Sequence, residues 1–192
     1  LFVGGGKTKN YSAYEVRKLA GAAVRFLKGK HIRSFVFVAP ETWAGKAEPN
    51  AYAALTVERS GLDEAVKAIA EADFDPDYYK KDRKDQKMDT LTVLVPASAD
   101  AKGLQKAAEV GQIVAESQNF TRDLVNEPGN RMTPTMLADR AQKMCGEVGL
   151  KCEVYGADKI KELKMGAFWS VAVGSDEEPR LIVMKYEPAG AA

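Results

Sequence analysis

Hydrophobic positions along the chain change period repeatedly, from helical spacing to short apolar runs and back. Val16, Leu19, Ala20, Ala23, Val24 and Leu27 recur at helical spacing. They follow the capping pattern Ser12-Ala13-Tyr14-Glu15 and end at Gly29, so one helix is expected there. Arg33 to Ala39 is a strand with an unbroken apolar run, Phe35 to Val38, as for a strand covered on both faces. A helix follows from Pro49 through Ala51, Ala54, Leu55 and Val57, broken near Gly61 and restarted at Asp63 through Val66, Ile69 and Ala70. Asp73 to Asp89 is polar, and Thr90 to Val95 is the next strand. From about Asp100 to Val125, behind a Ser98 cap, small and apolar residues recur helically, giving a helix of roughly 35–40 Å.

That helix meets Asn126-Glu127-Pro128-Gly129-Asn130, which fits neither helix nor strand. Pro128 lacks a donor and pushes Glu127 out of the α region, while Gly129 and Asn130 tolerate positive φ. The stretch reads as a joint between two domains or as a helix–loop–helix corner inside one. Beyond it, Thr133 caps a helix with Pro134 at its first position. Leu137, Ala141 and Met144 are its expected core face, and Gly146 or Gly149 its end. Leu150 to Tyr155 alternates like a strand, Ala157 to Leu163 is a short helix, and Met165 to Gly174 is a tight buried helical turn. Arg180 to Tyr186 is a final strand. Strands alternate with helices on both sides of the joint, so the fold class is α/β, with largely parallel sheets in two units. The alternation favours the joint.

Composition changes this picture little. The 192 residues are 45% hydrophobic and 29% charged, with net charge +1. That balance supports a globular core and supplies no basic face for nucleic acid. No apolar run approaches the ~18 residues that cross a bilayer. The run Lys80 to Lys87 alternates in sign and reads as a solvated loop rather than a nucleic-acid patch. The chain opens on the apolar strand end Leu1-Phe2-Val3, and the expectation is a piece missing something on its N-terminal side.

Candidate chemistry is sparse. His31 is the only histidine, so His-based zinc or nucleophile sites have almost nothing to draw on. Cys145 and Cys152 lie seven apart, one on a helix and one on a strand, and read as buried reduced thiols. Gly4-Gly5-Gly6-Lys7-Thr8 resembles a phosphate loop only in part. Leu1 stands where the pattern needs its first glycine, and Lys9-Asn10-Tyr11 delay the helix. Asp123 and Glu127, four apart, are two carboxylates without further ligands, and helix-end hydrogen bonding explains them better. Asp176-Glu177-Glu178 reads as a solvated turn.

The stretch Asn119 to Pro134, reading Asn-Phe-Thr-Arg-Asp-Leu-Val-Asn-Glu-Pro-Gly-Asn-Arg-Met-Thr-Pro, closely resembles the entry into the catalytic domain of the leucyl (cytosol) aminopeptidases. Lys164 to Ala167, Val173 to Ser175 and Pro179 to Tyr186 resemble that family's next blocks in order. Leu1 to Gly4 with Lys7, and Asp75 to Tyr79, look more loosely like its N-terminal domain. The resemblance implies a macro-domain-like α/β accessory domain over residues 1–97, a linking helix over 98–126, and the truncated opening of an α/β metallopeptidase domain over 127–192. It implies a cytoplasmic homohexamer acting on peptides with leucine-like N-termini, through water activated by two divalent metals (zinc, manganese or magnesium). The family's lysine, aspartate and glutamate ligands, and its catalytic lysine and arginine, lie beyond the last strand quoted. No catalytic, metal or substrate-binding residue is therefore carried over, and the piece is expected to be inactive alone. An alternative reading makes the first ~97 residues a binding module for a nucleotide or ADP-ribose-type ligand, or an assembly contact, with Gly4-Gly5-Gly6 approaching phosphate.

Overall fold

The computed structural model describes residues 4, 13–38, 66, 69–82, 88–94, 100–188 and 190. The expected glycine-rich turn after Gly4, the Ser12 and Ser98 caps, the helix from Pro49, and residues 83–87 of the charge run lie outside these. The chain divides into two compact units, Leu1–Asp123 and Leu124–Ala192.

In the first unit, helix α1 (Ala13–Gly29) turns Val16, Ala20, Ala23, Val24 and Leu27 inward. Leu19 is only half-buried. Val16, Ala20 and Val24 form a core with Ile69, and Phe35, Phe37, Ala72 and Met88 pack against it. Strands β1 (Ser34–Val38) and β2 (Thr90–Leu94) pair in parallel with Ser34 beside Thr90. The unbroken apolar run of β1 is not covered on both faces. Val36 sits beside Thr92 and is 54% exposed, so burial alternates although hydrophobicity does not. The turn leaving α1 also differs from expectation. Gly29 is the helix's last residue, and the left-handed position falls on His31, at φ 60°.

Helix α2 (Ala101–Asn126) buries Leu104, Ala107 and Ala115, and leaves Ile113, Val114 and Val125 exposed. Near its end, Asn119 Nδ2 donates to the Ala70 carbonyl at 2.8 Å and Arg122 Nη1 to the Glu71 carbonyl at 2.8 Å. Those carbonyls belong to the last turn of the helix at 69–72, where helix carbonyls run out of helical donors; the Glu71 carbonyl also accepts from the Phe74 N–H at 3.3 Å. The Arg122 guanidinium also lies 4.0 Å from the centre of the Phe74 ring.

In the second unit a 3₁₀ turn, Gly129–Arg131, leads to helix α3 (Pro134–Val148). The tolerance of Gly129 and Asn130 for positive φ goes unused, because neither adopts it and the turn has the negative φ of a tightened helix. Thr133 caps α3, its hydroxyl accepting from the Met136 N–H, and Pro134 occupies the first position. Gly149 closes it at φ 75°, its N–H bonded to the Cys145 carbonyl. The buried face is Ala138, Ala141 and Cys145, one position round from the expected one; Leu137 is exposed. This helix packs against β3 (Lys151–Tyr155).

Strand β3 pairs antiparallel with β4 (Leu181–Lys185), Lys151 beside Lys185. The expectation of largely parallel sheets holds for the first unit and fails for the second. Between β3 and β4 lie α4 (Ala157–Glu162), anchored by the fully buried Ile160, and α5 (Gly166–Ala172). The chain then returns beside β3 in the opposite sense. The apolar turn expected to be buried is α5, yet it buries no residue, and Val171 is 87% exposed.

Candidate functional site

The first unit carries a wide polar cleft of about 1430 Å³ between α1, the 70–82 segment and the end of α2. Its charged groups are largely paired with one another. Arg17 Nη2 donates to both Glu71 carboxylate oxygens, at 3.1 and 2.8 Å. Lys28 is 8% exposed, and its Nζ meets the Ala72 and Asp73 carbonyls at 3.2 and 3.0 Å and the Asp73 carboxylate at 3.2 Å. A buried ammonium with three oxygen partners is satisfied, so it serves the fold rather than a ligand. Lys80, the first residue of the alternating charge run, pairs with Asp77 at 2.8 Å. Asp77 holds that ammonium more firmly protonated than usual, through a hydrogen bond and its charge.

Of the carboxylates singled out in the sequence, Glu127 and Glu178 find structural work, both in the second unit. The Glu127 side chain is 12% exposed and accepts from Arg140 Nη2 at 3.0 Å, with Arg131 at 4.0 Å. Glu127 thus ties the loop before α3 to the middle of that helix. Asp123 is exposed at the end of the first unit. Of Asp176, Glu177 and Glu178, all exposed, Glu178 is the one whose side chain has structural partners. It pairs with Arg180 at 2.8 Å, and Arg180 Nε donates to the Thr135 hydroxyl at 3.2 Å. Gly156 lies so close to this pair that an added Cβ would stand 2.7 Å from a Glu178 oxygen. A second, largely apolar hollow of about 400 Å³ lies between Pro134, Phe168, Val171, Ala172, Pro179 and Arg180.

On β3, Glu153 accepts from the Tyr155 hydroxyl and lies 3.6 Å from Lys185. The Tyr155 hydrogen bond, aided by the charge of Lys185, holds the Glu153 carboxyl below the usual carboxylate range. The same bond raises the Tyr155 hydroxyl. Cys145 and Cys152 are both free thiols, Cys145 buried and Cys152 half-buried. Burial first, and then the hydrogen bond with Cys145, pushes the Cys152 thiol up.

Among the described residues no group of three or more His, Cys, Asp or Glu side chains comes together to hold a metal ion. A dinuclear metal centre needs several converging carboxylates, and the described side chains form no such group. Also among the described residues, no helix is long and apolar enough to cross a membrane. The ion pairs that hold the first unit, Arg17 with Glu71 and Lys28 with Asp73, join residues more than forty positions apart. Neither carried a sequence signal.

The fold is a mixed α/β arrangement in two units. It is similar to that of the "Bottromycin maturation enzyme BotP in complex with Mn", with a TM-score of 0.75 and 24% identity over 97% of this chain and 36% of that one. It is also similar to a mutant of tomato leucine aminopeptidase, with a TM-score of 0.79 and 19% identity over 96% of this chain and 35% of that one. Residues 1–74 match the N-terminal domain of the cytosol aminopeptidase family, and residues 119–192 match its catalytic domain. The chain belongs to the cytosol aminopeptidase family. It is 58% identical, over its whole length, to 38% of a "Probable cytosol aminopeptidase" of Koribacter versatilis. It is 46% identical, again over its whole length, to 36% of one so named from Acidobacterium capsulatum. The chain thus spans well under half the length of these relatives.

Proposed function

We propose that this chain is the N-terminal part of a metallo-aminopeptidase that removes leucine-like residues from peptide N-termini. In this reading residues 1–97 are the accessory domain, 98–126 the linking helix and 127–192 the opening of the catalytic domain. The observation that carries the reading is the 58% identity with the Koribacter versatilis protein across the full chain. The order of the two family matches, one on each side of the middle of α2, supports it.

The whole enzyme is proposed to be a cytoplasmic homohexamer using two divalent ions, zinc, manganese or magnesium. Bound metals would supply an activated water and polarise the scissile carbonyl. None of the residues of this chain is proposed to ligate them, to catalyse or to bind substrate. The contribution of this part is positioning: Glu127 and the Thr133–Pro134 cap fix where α3 starts, and α3 supports the β3–β4 pair. Nothing observed favours the alternative of a nucleotide or ADP-ribose-type module.

The purified chain is expected to leave leucine p-nitroanilide untouched in the presence of manganese; turnover above buffer would overturn its inactivity. Joined to the remainder of the Koribacter versatilis relative, it is expected to yield manganese-dependent hydrolysis that a chelator abolishes, in a particle that sediments as a hexamer. A folded but inactive chimera would overturn the aminopeptidase assignment.

A further inference from the structure

Two cysteines meet where α3 gives way to β3. Cys145 lies on the buried face of α3 with Ala138 and Ala141, at 1% exposure. The helix closes directly over it, because the N–H groups of Gly149 and Leu150 both bond to the Cys145 carbonyl, Leu150 at 2.8 Å. That double closure turns the chain back on itself and starts β3 at Lys151. Along β3, Lys151 and Glu153 are exposed, whereas Cys152 and Val154 face inward and are half-buried. The inward face of the strand therefore meets the inward face of the helix, which packs against it, and brings Cys152 and Cys145 close enough to influence each other. Neither thiol is in a disulfide in this structure.

We propose that Cys145 and Cys152 are a redox-modification site, closing to a reversible intramolecular disulfide when the chain meets a peroxide. Cys152, the more open of the two, reacts first. Its sulfur as thiolate attacks a peroxide oxygen, the O–O bond breaks, and hydroxide leaves to become water with the thiol's proton. Cys152 is then a sulfenic acid. The Cys145 sulfur, on the facing helix, attacks the Cys152 sulfur; the S–O bond breaks and the hydroxyl leaves as water with the Cys145 proton. The two thiols lose two electrons, the peroxide gains them, and two waters form. Burial that disfavours the Cys152 thiolate makes the first step slow without altering the end-point. The product joins the last turn of α3 to the first half of β3. A thiol reductant reopens it, which suits a bond made only under oxidising stress.

Lys151 separates the two cysteines, and this makes the test direct. The folded chain is exposed to hydrogen peroxide, denatured, alkylated and digested with trypsin, which cuts after Lys143, Lys151 and Lys159. The expected result is a joined pair of peptides, Met144 to Lys151 with Cys152 to Lys159, that separates on reduction. Three results would overturn the proposal. One is full alkylation of both cysteines. Another is Cys152 carried on to the sulfinic acid beside an intact Cys145. The third is the same peptides joined only between two chains. In Cys152→Ser, Cys145 is expected to remain open to alkylation after the same exposure. Its oxidation there at the wild-type rate would sink the assigned order of attack. The wild-type peptide map decides the disulfide itself, whether or not the variant folds.

Discussion

A single backbone position shows how much one residue can hold. Gly149 closes α3 at φ 75°, where an added Cβ would meet no neighbouring atom, so the penalty for a side chain there is backbone strain alone. Gly149→Ala is expected to destabilise the second unit by about 1 kcal/mol, read as a lower urea midpoint at unchanged slope. A midpoint that stays put would mean the α3 end relaxes to another cap. His31 occupies the same region at φ 60° with a side chain that gains nothing from it. The helical pattern points to Gly29 as the helix stop and offers no sign that the left-handed residue lies two positions on. Carbonyl satisfaction decided it: the N–H groups of Lys30 and Ile32 both bond to the Leu27 carbonyl, and that geometry puts positive φ at His31. Titration acts at this scale too. Glu153, with its carboxyl pKa lowered, contributes stability that is present above the ordinary carboxylate pKa and lost as pH falls through its own lower value. In Tyr155→Phe the principal cause is gone, so the Glu153 midpoint, followed by carboxyl carbon NMR, is expected to rise towards the ordinary range. An unmoved midpoint would assign the shift to Lys185 instead.

Elements were legible wherever their signals are local. The Thr133–Pro134 start of α3 was readable because a capping hydroxyl and a first-turn proline act within four residues, and the structure uses both. Thr133→Ala is expected to cost about 1 kcal/mol, as an N-cap does, with little change in the α3 interior by hydrogen exchange. Face and pairing were less legible. The α3 pattern contains Leu137 and Met144, larger than Ala138 and Cys145, and a size-weighted reading puts the larger pair inside. The face turned inward is the smaller one. Likewise the antiparallel sense of β3 and β4 depends on how α4 and α5 fold back, which no period in the sequence encodes. The apolar composition of α5 predicts burial; hydrophobicity states what a surface favours, and burial needs a neighbour to cover it. At the candidate site, the helix stop was visible in Pro128 and Gly129, but the pair that fastens the loop after it, Glu127 with Arg140, joins residues 13 apart and became visible only in three dimensions.

At the scale of the whole chain, the proposed domains imply separable stability. The first unit's core is Val16, Ala20, Val24 and Ile69, and the second unit buries Ala138, Ala141, Cys145 and Ile160. These two sets share no residue, so a cavity in one should be felt mainly by the amides of its own unit. Val24 is fully buried, and Val24→Ala removes two methyl groups at a cost of about 2 kcal/mol. Exchange of α1 amides that open with their unit should then accelerate about 30-fold, since each 1.4 kcal/mol is a factor of ten. The α3 amides should hold their wild-type rates. Ile160→Ala, at another fully buried position, should give the reverse pattern with an equal or larger effect. The long helix α2 is the informative element in both experiments. Its last three residues belong to the second unit and the rest to the first, so its amides should follow Val24→Ala up to about Asp123. If both variants accelerate exchange throughout the chain by the same factor, the protein unfolds as one cooperative body. The division into an accessory domain and a catalytic opening would then describe its family relationship and not its energetics.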